Sequence, residues 1–453
     1  MSYRNQRPSI AVIGAGISGA ACAAGLAAAG WQVTLFDKAR EVGGRMATRQ
    51  AAARLTSAAG LEHDDSAPRS DSAYVKGVNG VSGSSGTSAT SGANFDHGAQ
   101  QFTAQSPRFR ALLARAEKLG RVARWQQRVS ANFPASTLRE RFVPTPDMPA
   151  LCRHLLEAVP VRLGHHVQRL YRGPFGWQLA LANGGSVGAF DQVLLAMPPA
   201  QAALLLAGHQ DDWADALAAV PMTACWTLMA VTDEVDWPWD AAEPDRGPLA
   251  LIARDDRKPG RLVEPGRARW VAHASPEWSA LHLDDDPNTV ATALRAALLA
   301  QLPAPPGTPS AVTAGAVTTS GSLATASGAS SVPVWHQSRV HRWRYATLAQ
   351  PSVAGADCWW DRELGLGVCG EIFGDGTIER AWSSGDELAD VVAAGLEFAE
   401  TALDEAPAPA PGLAVAATVA GNVVAATSMA ASPATPSNPI KAILEVGSPQ
   451  AMH

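Results

Sequence analysis

Three glycines stand close together in Gly14-Ala-Gly16-Ile17-Ser18-Gly19, and an acid, Asp37, follows the next apolar run. Residues of these types at this spacing can hold two nucleotides joined through a pyrophosphate. Gly14 permits a sharp turn, Gly16 lets phosphate approach the backbone because no Cβ intervenes, and Gly19 allows a helix to pack closely on a strand. The phosphates then rest on the helix N-terminus, where free N–H groups and the helix dipole favour negative charge. Asp37 is placed to accept a hydrogen bond from a ribose 2′-hydroxyl, and a carboxylate there disfavours a 2′-phosphate. Ile17 and Ser18 in the turn, and Lys38 beside the acid, complete this first group of candidate cofactor contacts.

To position them the chain needs a strand, a turn, a helix and a second strand. Residues 10–13 are apolar throughout, as a buried parallel strand requires. The Ala-rich run to about Ala29 reads as the helix, Gly30 supplies a left-handed C-cap, and residues 31–36 alternate into the second strand. Residues 10–29 carry no charge, which would also suit a signal peptide or a membrane helix, but their glycines and patterning argue against both.

Beyond Asp37 come Arg40 and then Gly43-Gly44-Arg45-Met46. This resembles the second glycine pair, with its arginine, that flavoproteins with two dinucleotide-binding domains carry after the ribose acid. The resemblance is to FAD enzymes of the monoamine oxidase class rather than to NAD dehydrogenases, and it implies FAD as the cofactor.

The 453 residues suffice for two lobes with a sizeable core, and a net charge of −6 argues against nucleic acid as a partner. Five scattered cysteines form no CxxC or Cys/His cluster, which points to reduced thiols in a cytoplasm with no structural metal. Fourteen tryptophans against four tyrosines is an unusual ratio, and most are expected in the core or in pocket walls.

Residues 51–93 have little periodicity, and 77–92 have a Gly/Ser linker composition, so this stretch reads as a flexible surface insertion. Order resumes at Asn94-Phe95-Asp96-His97-Gly98-Ala-Gln-Gln-Phe102. GGRMATR paired with FDHGAQQF resembles the renalase-like flavoproteins, a bacterial branch of FAD-dependent oxidoreductases in the amine oxidase superfamily. In such chains the two motifs nearly adjoin, so the insertion is a departure. His97 admits two roles, a catalytic acid/base or a residue that hydrogen-bonds its own loop.

A helix after Pro107 presents Phe109, Leu112 and Leu113 on one face, and a second is expected over 150–158. Short strands are expected at 161–163, 166–170, 177–181 and 186–190, the last two joined by an Asn183-Gly184 turn. His165 and His166 would point to opposite faces of a strand, which disfavours a shared metal. The resemblance implies that the backbone at Val167 meets the adenine. Residues 191–199 read as a strand returning to the dinucleotide-binding domain. Strands at 225–231, 249–253 and 269–273 begin a second lobe, Asn288 is the expected N-cap of the following helix, and 303–333 read as a second flexible insertion.

Val340-His-Arg-Trp-Arg-Tyr-Ala346 again resembles renalase-like chains. On a strand Arg342 and Arg344 alternate with Trp343 and Tyr345, giving one cationic and one aromatic face. One reading is an aromatic wall beside the flavin with arginines for a phosphate or carboxamide, and the other is a core strand with a solvated basic edge. Residues 364–370 read as a buried strand followed by Glu371, Glu379, Ala381-Trp382 and a helix from about Asp386. This resembles the C-terminal flavin motif, which implies cofactor contacts from Gly370, Glu371, Glu379, Ala381 and Trp382. Glu371 stands where the family usually has aspartate. Residues 404–453 turn to Ala/Pro repeats and are expected to be a disordered tail rather than a membrane span.

The expected fold is α/β, a discontinuous Rossmann-like FAD-binding domain (1–50, 94–110, 150–205, 358–403) with a mixed-sheet and helix substrate domain (111–149, 206–357). The resemblance implies an oxidase that converts isomeric dihydro-NAD(P) to NAD(P)+ and passes the electrons to O2, and the scattered cysteines point to the cytoplasm as its location. An amine oxidase and a flavin-binding redox sensor without turnover are the alternatives.

Overall fold

The computed structural model describes residues 8–50, 94–130, 140–302, 333–350 and 356–404. Five short strands pair in parallel: β1 (Ser9–Ile13), β2 (Gln32–Phe36), β8 (Val161–Arg162), β12 (Gln192–Leu195) and β19 (Leu366–Val368). With β18 (Trp359–Asp361) added antiparallel at one edge, the sheet order is β18-β19-β12-β1-β2-β8. The chain starts in the middle, moves outward to β8 and returns on the other side of β1. That reversal opens a crevice beyond the C-terminal ends of β1 and β12, where open α/β sheets bind ligands.

Both faces of this sheet are covered, which is why its strands are apolar without alternation. Ile10 and Val12 pack with α1 (Ile17–Ala28), α3 (Ala150–Leu155) and α8 (Ile378–Asp404). Ala11 and Ile13 face the other way, onto a second layer. It comprises the meander β9 (Val167–Gly173), β10 (Gly176–Leu181) and β11 (Ser186–Phe190), with α4 (Pro199–Leu206) and α5 (Asp211–Ala218).

A five-stranded antiparallel sheet runs β14-β15-β16-β13-β17, from β13 (Met222–Asp233), β14 (Ala241–Ala242), β15 (Leu249–Arg254), β16 (Arg267–Ala274) and β17 (Trp335–Leu348). Trp226, Leu228, Trp270 and Ala272 pack against Leu294 and Leu298 of α7 (Pro287–Gln301), which follows α6 (Pro276–Leu281). The N-cap of α7 is Asp286 rather than Asn288. Its carboxylate accepts from Asn288 N and Thr289 N, because Pro287 occupies the first helical position and has no N–H to be capped.

Two small ladders tie the motifs together. β3 (Arg49–Gln50) pairs with β4 (Asn94–Phe95), bringing GGRMATR and FDHG side by side across residues 51–93, which lie outside the described residues. The second insertion, 303–333, and the tail after 404 likewise lie almost wholly outside them. A three-stranded sheet orders β5 (Phe102–Thr103), β7 (Arg141–Pro144) and β6 (Val122–Arg124), with α2 (Pro107–Lys118) burying Phe109, Leu112 and Leu113 as expected. Two helix limits differ from the sequence reading: α3 ends at Leu155, and α8 starts at Ile378 instead of near Asp386.

Candidate cofactor and substrate site

The three glycines of the first turn divide into two kinds. A Cβ on Gly14, whose φ is +116°, would lie 2.2 Å from Ala196 O, and one on Gly19 would lie 1.9 Å from Gly14 O. Folding alone therefore requires both. Gly16 has ordinary extended backbone, and a Cβ there would meet nothing within 4 Å. The space before it is open on the side toward which the N-terminus of α1 points. Ser18 Oγ is buried there without a hydrogen-bond partner. An open cradle, a helix N-terminus and an orphaned hydroxyl fit a pyrophosphate.

Asp37 is held by the turn it serves, accepting from Ala15 N at 2.6 Å and Ala39 N at 2.7 Å. Gly164 N and His165 N donate to Ala39 O and Asp37 O, which draws the entry to β9, and with it buried Val167, alongside the acid. Lys38 is exposed and donates to Gln201 Oε1 at 3.0 Å. Gly43 N donates to Ala15 O, and Gly43 bridges to Gly16, so the second glycine pair lies directly against the first. Met46 is buried in the core behind it.

Arg45 forms an ion pair with Glu371, and its Nη1 also donates to Ala346 O at 3.2 Å. One guanidinium thus touches both the C-terminal flavin-motif segment and the strand that carries Trp343. Burial pushes the Glu371 carboxyl up, and the neighbouring arginine only partly offsets this. Gly370, at φ +148°, donates its N–H to Ser384 Oγ at 2.9 Å, and a Cβ there too would meet nothing within 4 Å.

The rest of the C-terminal group is placed differently from the sequence reading. Glu379 accepts from Gln105 N at 2.8 Å and Ser106 N at 2.5 Å, anchoring the start of α2. Trp382 packs on Phe109 with ring centroids 5.1 Å apart, and Ala381 lies in the same core. With α8 beginning at Ile378, these residues form its first turns, and the side chains of Glu379 and Trp382 turn to the start of α2.

On β17 the alternation holds, and it separates the predicted residues. Trp343 stacks on His97 (5.1 Å between centroids) and donates its Nε1–H to His97 O at 3.1 Å. His341, on the same face, meets both rings edge-on and lies 3.3 Å from Arg49 Nη1. Arg342 and Arg344 point the opposite way, to Leu283 O at 2.7 Å and Asp284 Oδ1 at 3.0 Å in the turn between α6 and α7. The substrate role given to those arginines is corrected: strand alternation that presents Trp343 to His97 turns them to the helix layer. Tyr345 is on the Trp343 side of the alternation but is partly exposed.

His97 is buried, with Nδ1 lacking a hydrogen-bond partner, and burial, then His341 and Arg49, hold its pKa down to about 3. Behind it lies a group that sequence reasoning missed. Lys258 Nζ, fully buried, contacts Asp96 at 3.0 Å, Asp255 at 2.8 Å and Gln100 Oε1 at 2.8 Å. Arg261 and Thr48 also donate to Asp96. Burial alone would raise the Asp96 pKa, but Lys258 and Arg261 outweigh it and hold the carboxylate well below its usual range. Gln100 approaches His273, whose pKa burial lowers to about 4. The only trace in the sequence is the charge run Asp255-Asp256-Arg257-Lys258, which has the composition of a solvated turn. Among the described residues no group of three or more His, Cys, Asp or Glu is arranged to hold a metal ion, and no helix is long and apolar enough to cross a membrane.

Comparison with known proteins agrees with this architecture. Residues 12–69 match the family model of an NAD(P)-binding Rossmann-like domain. A 37-residue stretch is 65% identical to 4,4′-diapophytoene desaturase (4,4′-diaponeurosporene-forming) from Staphylococcus haemolyticus, and this covers 8% of the chain and 7% of the desaturase. Cyclohexylamine oxidase from Brevibacterium oxydans IH-35A superposes with a TM-score of 0.54 at 12% identity, over 86% of this chain and 100% of that one. A triple mutant of putrescine oxidase superposes with a TM-score of 0.53 at 13% identity, over 86% and 99%. The chain is built on a Rossmann-like dinucleotide-binding core and shares the overall fold of these oxidases.

Proposed function

We propose that the chain is an FAD-dependent oxidoreductase of the amine oxidase superfamily, and within it a renalase-like oxidase. Its substrate is an isomeric dihydropyridine form of NAD(P)H, oxidised to NAD(P)+. FAD, when bound, supplies a hydride acceptor at N5 that O2 reoxidises with release of H2O2. The cofactor is assigned to the cradle of Gly14, Gly16 and Ser18, the acid Asp37, and the Arg45–Glu371 pair. The dinucleotide-binding domain follows the segments 1–50, 94–110, 150–205 and 358–403, with 111–149 and 206–357 as the substrate domain.

The observation that carries the substrate reading is the Trp343–His97 stack, whose imidazole is held neutral. With its pKa held down to about 3 by burial, His97 rests neutral at neutral pH, which favours a positioning role over the acid/base role considered from sequence. A dihydropyridine needs no base, because loss of hydride converts it to an aromatic pyridinium. The residues then act by position: the Trp343 indole offers a flat face to the ring, and His97, fixed through its backbone carbonyl, backs it. Arg45, joined to Glu371 and Ala346 O, keeps the cofactor side and the substrate strand in register.

An amine oxidase is the second reading, favoured by the likeness to cyclohexylamine and putrescine oxidases and by the aromatic surface of Trp343 and His341. Anaerobic stopped-flow reduction of the purified yellow protein decides between them. Reduction by isomeric dihydro-NAD(P) and not by primary amines is expected. Reduction by amines alone selects the second reading, and reduction by neither selects a flavin-binding redox sensor.

A further inference from the structure

Three of the five free cysteines converge on one face of the parallel sheet: Cys22 on α1, Cys369 just after β19, and Cys358 just before β18. The β18–β19 ladder pairs Asp361 with Leu366, Trp360 with Gly367 and Trp359 with Val368. Continuing that register by one residue puts Cys358 opposite Cys369. Cys369 N donates in the other direction, to Leu195 O of β12 at 2.9 Å. The two cysteines are therefore a non-hydrogen-bonded pair, the class in which facing residues of antiparallel strands come closest, with Cα atoms about 4.5 Å apart. A disulfide needs Cα atoms roughly 4.4–6.8 Å apart. The pair lies at the end of the ladder, where the strands can adjust. Both thiols are on the face of Trp360 and Leu388, and the Cys22 thiol is buried in the same cluster.

We propose that Cys358 and Cys369 are a peroxide-oxidisable dithiol that closes into a cross-strand disulfide. Cys358, partly exposed, is the thiol peroxide reaches, whereas Cys369 and Cys22 are buried. The Cys358 thiolate attacks one peroxide oxygen, the O–O bond breaks and hydroxide leaves, giving a sulfenic acid. The Cys369 thiolate attacks that sulfur, the S–S bond forms, the S–O bond breaks and hydroxide departs, and the two hydroxides take up the two protons lost by the thiols to become water. Two thiols lose two electrons in all, and one peroxide is reduced to two waters. Burial, then Cys369, Glu387 and Asp357, push Cys358 up to about 12. Little thiolate is present at neutral pH, so closure follows sustained rather than brief exposure. The bond would fasten the edge strand to the segment leading into Gly370 and Glu371. It does not depend on the substrate proposed above, since any source of peroxide suffices.

The full chain is exposed to excess hydrogen peroxide, remaining thiols are alkylated, and peptides are mapped by mass spectrometry without reductant. The expected product is a Cys358–Cys369 linked peptide, two hydrogens lighter than its parts and released by dithiothreitol. It should be absent from Cys358→Ser and retained in Cys152→Ser. A Cys22–Cys369 link, conversion of Cys358 to sulfinic acid with Cys369 unmodified, or five unmodified thiols would each overturn the proposal. The unmutated protein alone decides the matter if a serine variant does not fold.

Discussion

Trp343 and Arg342 are neighbours in sequence, yet they belong to different parts of the molecule. Trp343→Phe removes the Nε1–H that reaches His97 O while keeping an aromatic face. It should slow flavin reduction, with a stability loss of about 0.5–1.5 kcal/mol for the hydrogen bond. Arg342→Ala loses its bond to Leu283 O and its packing over Trp226. It should lower the melting temperature by a few degrees and leave substrate affinity unchanged. Stopped-flow titration of both variants checks the pair, and a tenfold affinity loss confined to Arg342→Ala would reverse the assignment of faces. Gly16→Val is a second test at this scale. Its side chain enters the open space before α1, so the variant should fold with near-normal stability but purify without flavin, as absorbance in the 450 nm region would report; yellow protein would contradict the cradle.

Among the elements, α1 and α8 lie unusually close. A Cβ on Gly385 would sit 2.0 Å from Ser18 O, and one on Gly25 would sit 2.8 Å from Ala389 Cβ. Gly385→Ala therefore forces backbone apart and should cost about 1–3 kcal/mol, together with flavin affinity, because Ser18 sits in the cradle. Denaturant melts with and without added FAD measure both effects, and an unchanged midpoint would show that α8 can slide freely. This crossing also explains what the sequence reading missed. A helix expected from about Asp386 leaves Gly385 outside it, whereas Gly385 lies inside α8, at the point where Ser18 of α1 leaves no room for a Cβ. The glycine turn of α1 was legible because its requirements are local. The alternation of β17 was legible too, but which face meets His97 is decided by strands far away in the chain.

Across the whole molecule, Asp96 is the node joining Thr48 of the first motif, its own FDHG segment, and Lys258 and Arg261 of the antiparallel-sheet region. Such a node is invisible in sequence, since its charged partners Lys258 and Arg261 stand 162 and 165 residues away and read as ordinary surface charges. Its pKa is lowered on folding. The stability it contributes is thus fully present above the unfolded carboxyl value of about 4, and is lost as pH falls through the folded value. Asp96→Asn should cost about 3–5 kcal/mol at pH 7, because Lys258 and Arg261 remain buried beside a neutral amide, and the loss should shrink below pH 4. Urea melts of both proteins at pH 3.5 and pH 7 test this, and an equal difference at the two values would count against it.

Gly16 has a bearing on ancestry. Its backbone dihedrals, φ −71° and ψ 179°, are open to any residue, and no neighbour crowds the position. Serine or aspartate there would cap α1 better than glycine by a few tenths of a kcal/mol. In a lineage that had stopped carrying a ligand, this site would be free to drift toward a capping residue, while Gly14 and Gly19 stayed fixed by the fold. Glycine at the one position of the three where folding does not require it fits a phosphate that has to approach the backbone there.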